Sequence, residues 1–198
     1  MSVPIRAHGM TRQAFLLSVA LTAGAAAAPG VRSAFAQAGG GDTDVVNFAL
    51  TLELLEARFY EEGLQRVKGL RSEYRTVATE IRDNESEHVQ VLSALVGQLG
   101  ATPVTEPQFD FGDAFASEDS FLEVAQMLED TGVAAYNGAA PRIADRQILE
   151  AAGTIVQVEA RHAAVIRLLR DQPISPGAFD RSLSQGAVTR RVDPFLGG

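Results

Sequence analysis

Apolar residues recur every three or four positions along four stretches of this chain, and the polar residues between them fall on the opposite side of each stretch. A helix turns about 100° per residue, so this spacing predicts four amphipathic helices. The first is expected from Thr43 to Val67, opened by Asp42 or Asp44 and stopped by Gly69. The second runs from Ser72 to Leu99. No period is visible from Gly100 to Ser117, where Pro103, Pro107 and Gly112 mark a long connection carrying Phe109, Phe111 and Phe115. Ser117 or Asp119 can cap a third helix reaching Ala140, Pro141 marks a turn, and a fourth helix spans Arg142 to Arg170. Pro173, Pro176 and Gly177 end it. The remaining tail, 173–198, has scattered apolar residues (Ile174, Phe179, Val192, Phe195, Leu196) and reads as an irregular strap without a fifth amphipathic helix. Short connections within each pair of helices and a long crossover between the pairs predict an all-α four-helix bundle over residues 44–172.

The inward stripes contain charge. On the second helix Ile81, Glu85, His88, Leu92, Leu95 and Leu99 share a face; on the fourth Ile148, Ala152, Ile155, Glu159, His162, Ile166 and Leu169 do. On the first, Ala49, Glu53, Glu56 and Tyr60 lie with Leu52 and Phe59; on the third, Leu122, Ala125, Glu129, Gly132 and Tyr136 align. Glu87 and Arg161 point outward, and Glu61, Glu62, Glu73 and Glu80 read as solvated. In chain order the inward polar residues give Glu-x6-Tyr, Glu-x-x-His, Glu-x6-Tyr, Glu-x-x-His: Glu53, Tyr60, Glu85, His88, then Glu129, Tyr136, Glu159, His162. Glu85 follows Glu53 by 32 residues and Glu159 follows Glu129 by 30, an internal duplication.

A single Glu-x-x-His is common on helix surfaces, but both histidines after residue 36 fall at this spacing, a coincidence of about one in a hundred. Carboxylates amid apolar faces are costly unless paired or metal-bound, and four converging ones repel. Two divalent cations offset both costs. Glu oxygens with neutral imidazole suit iron or manganese, with zinc as competitor. The expected arrangement gives each ion one histidine, with Glu85 and Glu159 bridging and Glu53 and Glu129 terminal. Glu56 is an extra ligand or a substitute for Glu53. Tyr60 and Tyr136 have two open readings, a redox role or packing with the hydroxyl bonded to a carboxylate.

The 198 residues fit one domain, and a 46% apolar content is enough for a core. Residues 1–36 read as an export leader: Arg6 and Arg12 begin it, Ala14 to Ala28 is apolar, and Ala34-Phe35-Ala36 is a small-x-small cleavage site. The apolar stretch of about 15 residues is short of the roughly 20 that a membrane span needs. An uncleaved anchor is the alternative. Thr11-Arg12-Gln13-Ala14-Phe15-Leu16 resembles a twin-arginine leader with Gln13 in place of an arginine. Cleavage after Ala36 would place the mature chain in the periplasm or outside the cell, with residues 37–43 as a flexible lead-in. It removes three of the 17 basic residues and no acid, leaving 14 against 25 and a net charge of −11. That charge argues against a nucleic-acid partner and is compatible with drawing in cations. The absence of cysteine excludes disulfides, thiolate zinc sites, iron–sulfur clusters and a cysteine nucleophile.

The run Asn47-Phe48-Ala49-Leu50-Thr51-Leu52-Glu53-Leu54-Leu55-Glu56-Ala57-Arg58-Phe59-Tyr60 resembles the opening helix of the ferritin-like superfamily. With Met127 to Tyr136, Ala178-Phe179-Asp180 and Asp193-Pro194-Phe195, the likeness extends over Asp44 to Phe195 and is nearest to exported ferritin-like proteins that include desiccation-related ones. It implies the ligands Glu53, Glu85, His88, Glu129, Glu159 and His162, and two iron or manganese ions reacting with dioxygen or peroxide in the manner of a ferroxidase, catalase or peroxidase. The alternative is a non-catalytic metal-binding or structural stress protein. Ser86, where a haem-binding relative carries Met, argues against haem, and the lack of cysteine argues against a rubredoxin-like module. The tail lacks the helix that helps close storage cages. The expected partners are metal ions and small oxidants, with a homodimer as the candidate assembly and no membrane span after the leader.

Overall fold

In the structure, a computed structural model describing residues 41–197, four helices lie side by side. They are α1 (Asp42–Arg66), α2 (Ser72–Gln98), α3 (Glu118–Ala139) and α4 (Arg146–Leu169), of 25, 27, 22 and 24 residues. At 1.5 Å per residue each is about 33–40 Å long. α1 packs along α2 and α3 along α4, and the two hairpins meet through contacts of α1 with α3 and of α2 with α4. The bundle is all-α, with the crossover between α2 and α3 as the periodicity predicts. The expected leader lies outside the described residues, as do residues 37–40 of the lead-in; α1 takes up the last two lead-in residues. No helix among the described residues is long and apolar enough to cross a membrane.

The helix ends follow from local chemistry. Ser117 caps α3: its hydroxyl accepts from Ser120 N at 3.1 Å, while Ser117 N donates to Ser120 Oγ at 3.0 Å. α4 starts four residues later than expected. Ala140–Arg142 form a 3₁₀ turn around Pro141 and the chain then extends, so the cap falls to Asp145, which accepts from Gln147 N at 2.7 Å and Ile148 N at 3.3 Å. The Asp42 carboxylate fixes that turn from the start of α1, accepting from Ala144 N at 2.8 Å and Asp145 N at 2.6 Å.

The crossover supplies core that periodicity does not reveal. Phe111 and Phe115 are buried against Phe59 of α1, with ring centroids 5.4 and 5.3 Å away, and Phe121 stacks on Phe59 at 5.1 Å. Upstream, the Asn47 side chain accepts from Val104 N at 2.9 Å, pinning the crossover to α1.

The tail corrects one expectation. Irregular chain follows α4, but Gln185–Val192 form a fifth helix, α5, of eight residues, continued by a 3₁₀ turn Asp193–Phe195. Only Val188 and Val192, four apart, are buried on it, too few for a sequence period to register. The strap lies on α3: Leu183 N donates to Ala134 O at 2.9 Å, and Leu183 O sits 1.8 Å from where a Cβ on Gly138 would be. Its end is stitched to the crossover, with Asp110 N donating to Phe195 O at 2.9 Å and Gly197 N to Gln108 O at 3.0 Å.

Candidate metal centre

Each of the four long helices delivers its inward acidic residue to one buried layer. Glu53 (α1), Glu85 (α2), Glu129 (α3) and Glu159 (α4) are each 0% exposed, with His88 at 8% and His162 at 4%. Glu87 and Arg161 face out, as the helical phase requires. The donor atoms fall into two sets. One atom each from Glu53, Glu85, His88 and Glu159 lies within 4.8 Å of the others, and the same holds for Glu85, Glu129, Glu159 and His162. Glu85 and Glu159 belong to both sets, and each set has its own histidine.

The first set is tight. His88 Nδ1 lies 3.0 Å from Glu53 Oε2, 3.1 Å from Glu85 Oε2 and 3.0 Å from Glu159 Oε1. The second is looser, with His162 Nδ1 at 2.8 Å from Glu85 Oε1, 3.4 Å from Glu129 Oε2 and 4.0 Å from Glu159 Oε2. The ring centroids are 6.3 Å apart.

The tyrosines connect the halves of the duplication crosswise. Tyr60 of α1 donates to Glu129 Oε1 of α3, and Tyr136 of α3 donates to Glu53 Oε1 of α1, each at 2.5 Å. Residues seven apart share a helix face but stand about 10 Å apart along the axis. Each tyrosine therefore bonds the other half's glutamate, and α1 and α3 must run in opposite directions. Burial, then the neighbouring carboxylates, pushes both phenols well above their ordinary range, so both stay protonated donors.

Burial and mutual repulsion also raise the carboxyls of Glu85 and Glu159 well above the usual range. Burial presses on Glu53 in the same sense, but bonds to His88, Glu85 and Tyr136 hold it below. Burial works against protonation of His88 and His162, yet their carboxylate neighbours raise both. Uptake of protons or of cations would each relieve this crowding of buried carboxylates.

Whether metal fits can be judged from the unpaired atoms. Among the described residues seven buried side-chain nitrogen or oxygen atoms have no hydrogen-bond partner, and six belong to this layer: Glu56 Oε2, Glu85 Oε1, Glu129 Oε2, both oxygens of Glu159, and His162 Nδ1. His162 Nδ1 and Glu85 Oε1 are 2.8 Å apart yet misaligned for bonding to each other. Buried groups are rarely left so. Oxygen and imidazole donors brought together in two overlapping sets, with bonding capacity to spare, fit two divalent cations.

Two nearby residues were given no role by the sequence, although Gly132 falls on the inward stripe of α3. Asn84, beside Glu85, places its amide nitrogen 3.1 Å from His162 Nε2. An amide offers both donor and acceptor, so Asn84 can serve either tautomer; with Nδ1 given to a cation, Nε2 carries the proton and needs the amide oxygen. Gly132 lies one turn beyond Glu129, and a Cβ there would meet Glu56 Oε1 at 3.2 Å and Glu159 Oε2 at 3.3 Å. Glu56 itself is 3% exposed and falls in neither four-residue set.

A family model described as ferritin-like domain matches residues 41–172, the four long helices and the crossover without the strap. No curated protein matches the chain.

Proposed function

Since the chain belongs to the ferritin-like domain family, we propose that it is a two-metal carboxylate protein acting outside the cytoplasm, with iron or manganese as the ions and dioxygen or peroxide as the oxidant. The observation that carries this reading is the pair of overlapping donor sets sharing Glu85 and Glu159. Glu85 and Glu159 would bridge, Glu53 and Glu129 would be terminal, and His88 and His162 would each complete one position. When bound, two adjacent ions of this kind supply paired electron-transfer chemistry towards small oxidants.

The protein's share is positioning and insulation. Four ionised carboxylates neutralise two divalent cations, so both imidazoles serve as neutral ligands. Tyr60 and Tyr136 hold Glu129 and Glu53 in place from the opposite helix. Asn84 orients the His162 ring. Phe59, Ile81, Leu128 and Ile166 are nearly fully buried in the four helices that carry the ligands, which favours a dry layer in which electrostatic interactions are strong. Location outside the cytoplasm rests on the leader-like residues 1–36.

The test is loading of metal-free protein anaerobically with Fe(II) and, separately, Mn(II), followed by metal analysis and then exposure to dioxygen and to peroxide. Two ions per chain with turnover is the expected result. Two ions without turnover would favour a metal-binding stress protein, and one ion or none would refute the two-metal reading.

A further inference from the structure

We propose that Glu56 is a seventh metal ligand, serving the position built on His162. The inference rests on the two-metal reading above and adds a residue that neither donor set contains.

Three observations converge on it. Glu56 is a buried carboxyl whose Oε2 has no partner, although it stands one turn from Glu53 among the centre's own acids. Keeping such a group for packing alone leaves a buried polar atom unsatisfied, which costs stability. Second, the duplication breaks here. The residue three after the terminal glutamate is Glu56 in the first half and Gly132 in the second. These two meet: the space a Cβ on Gly132 would take is bordered by Glu56 Oε1 at 3.2 Å and Glu159 Oε2 at 3.3 Å. The glycine leaves a gap, and the extra carboxylate faces it beside a bridging one.

Third, the His162 set has room for another donor. Its histidine stands 2.8, 3.4 and 4.0 Å from its carboxylates, against 3.0, 3.1 and 3.0 Å around His88. The two positions are consequently unequal: one is compact, with four donors, and the other is wider, with five.

Calorimetric titration of the full chain with Mn(II) tests this. Wild type should bind two ions. Glu56→Gln, nearly the same shape, should keep one affinity and weaken the other at least tenfold. In a His88→Ala background Glu56→Gln should still weaken the remaining ion; in a His162→Ala background it should have no effect. Glu56→Asp, which keeps the charge but draws it back by one carbon, should behave like Glu56→Gln and serves in its place should Gln impair folding. Two unchanged affinities in Glu56→Gln or Glu56→Asp would overturn the proposal, as would an effect that follows His88. Fewer than two ions in wild type would instead refute the two-metal reading itself.

Discussion

Removing metal should reverse the way stability responds to pH, and the groups that do this are identifiable. Without cations, burial and crowding raise the carboxyls of Glu56, Glu85 and Glu159. The folded chain then binds more protons than the unfolded chain between the unfolded carboxyl value of about 4.3 and the raised folded values. For a raised group the contribution to stability is present at low pH and is lost as pH rises towards the folded value. His88 and His162 are raised too, so they act in the same sense above about pH 6.5. Glu53 is lowered, and its opposing contribution is lost only below about pH 4.3, outside the window. Each proton taken up is worth about 1.4 kcal/mol per pH unit. Between pH 6.5 and 5 metal-free protein should therefore gain stability as pH falls, by about 1.4 kcal/mol per pH unit for each extra proton the folded cluster holds. At roughly 2–4 °C per kcal/mol its melting temperature should rise on acidification by about 3–6 °C per pH unit for each such proton. Loaded protein should do the opposite. Metal a thousandfold above Kd stabilises by about 4 kcal/mol, and protons competing for the ligands erode that gain. Calorimetric melts of chelated and Mn(II)-loaded protein at pH 7, 6 and 5 should show the two melting temperatures converging. A constant gap, or metal-free protein that melts lower as pH falls from 7 to 5, would refute the buried, shared-site argument.

Other substitutions read different parts of the molecule. Glu85→Gln or Glu159→Gln should reduce metal content more than Glu53→Gln or Glu129→Gln, while Glu87→Ala should leave it unchanged; elemental analysis after gel filtration decides. Tyr60→Phe should leave Glu129 Oε1 without its donor and lower stability by about 1–3 kcal/mol; a stopped-flow comparison of oxidant turnover before and after the change separates packing from a redox role. Gly138→Ala cannot be accommodated against Leu183 O. It should free the strap, expose Val188 and Val192 and lower stability by about 2–4 kcal/mol, read as faster proteolysis in the tail with metal content unchanged.

The helices and the inward layer were legible because both depend on one period. Glu85 and His88 sit in the middle of an apolar stripe, so helical phase alone turns them inward, and the repeat at Glu159 and His162 marks them as one design. What was hidden depends on tertiary direction or on too few residues. The crossed tyrosine bonds require knowing that α1 opposes α3, which spacing along one helix cannot reveal. Phe111 and Phe115 join the core from a segment with no period at all. α5 has two buried valines, less than a pattern needs. The late start of α4 is set by Asp42, about a hundred residues away, and Asn84 is one polar neighbour among many.

The distribution of donors between the hairpins has a consequence for assembly. Glu53, Glu85 and His88 come from the first hairpin, and Glu129, Glu159 and His162 from the second. Each four-residue set therefore takes three members from one hairpin and borrows its fourth, Glu159 or Glu85, from the other. Under the two-ion reading neither hairpin can finish a position alone, and each ion cross-links segments that the chain joins only through its long crossover. An ion caught early by three ligands of one hairpin would recruit the other, shortening the search for correct docking. Loosening the contact between hairpins would then release both ions together.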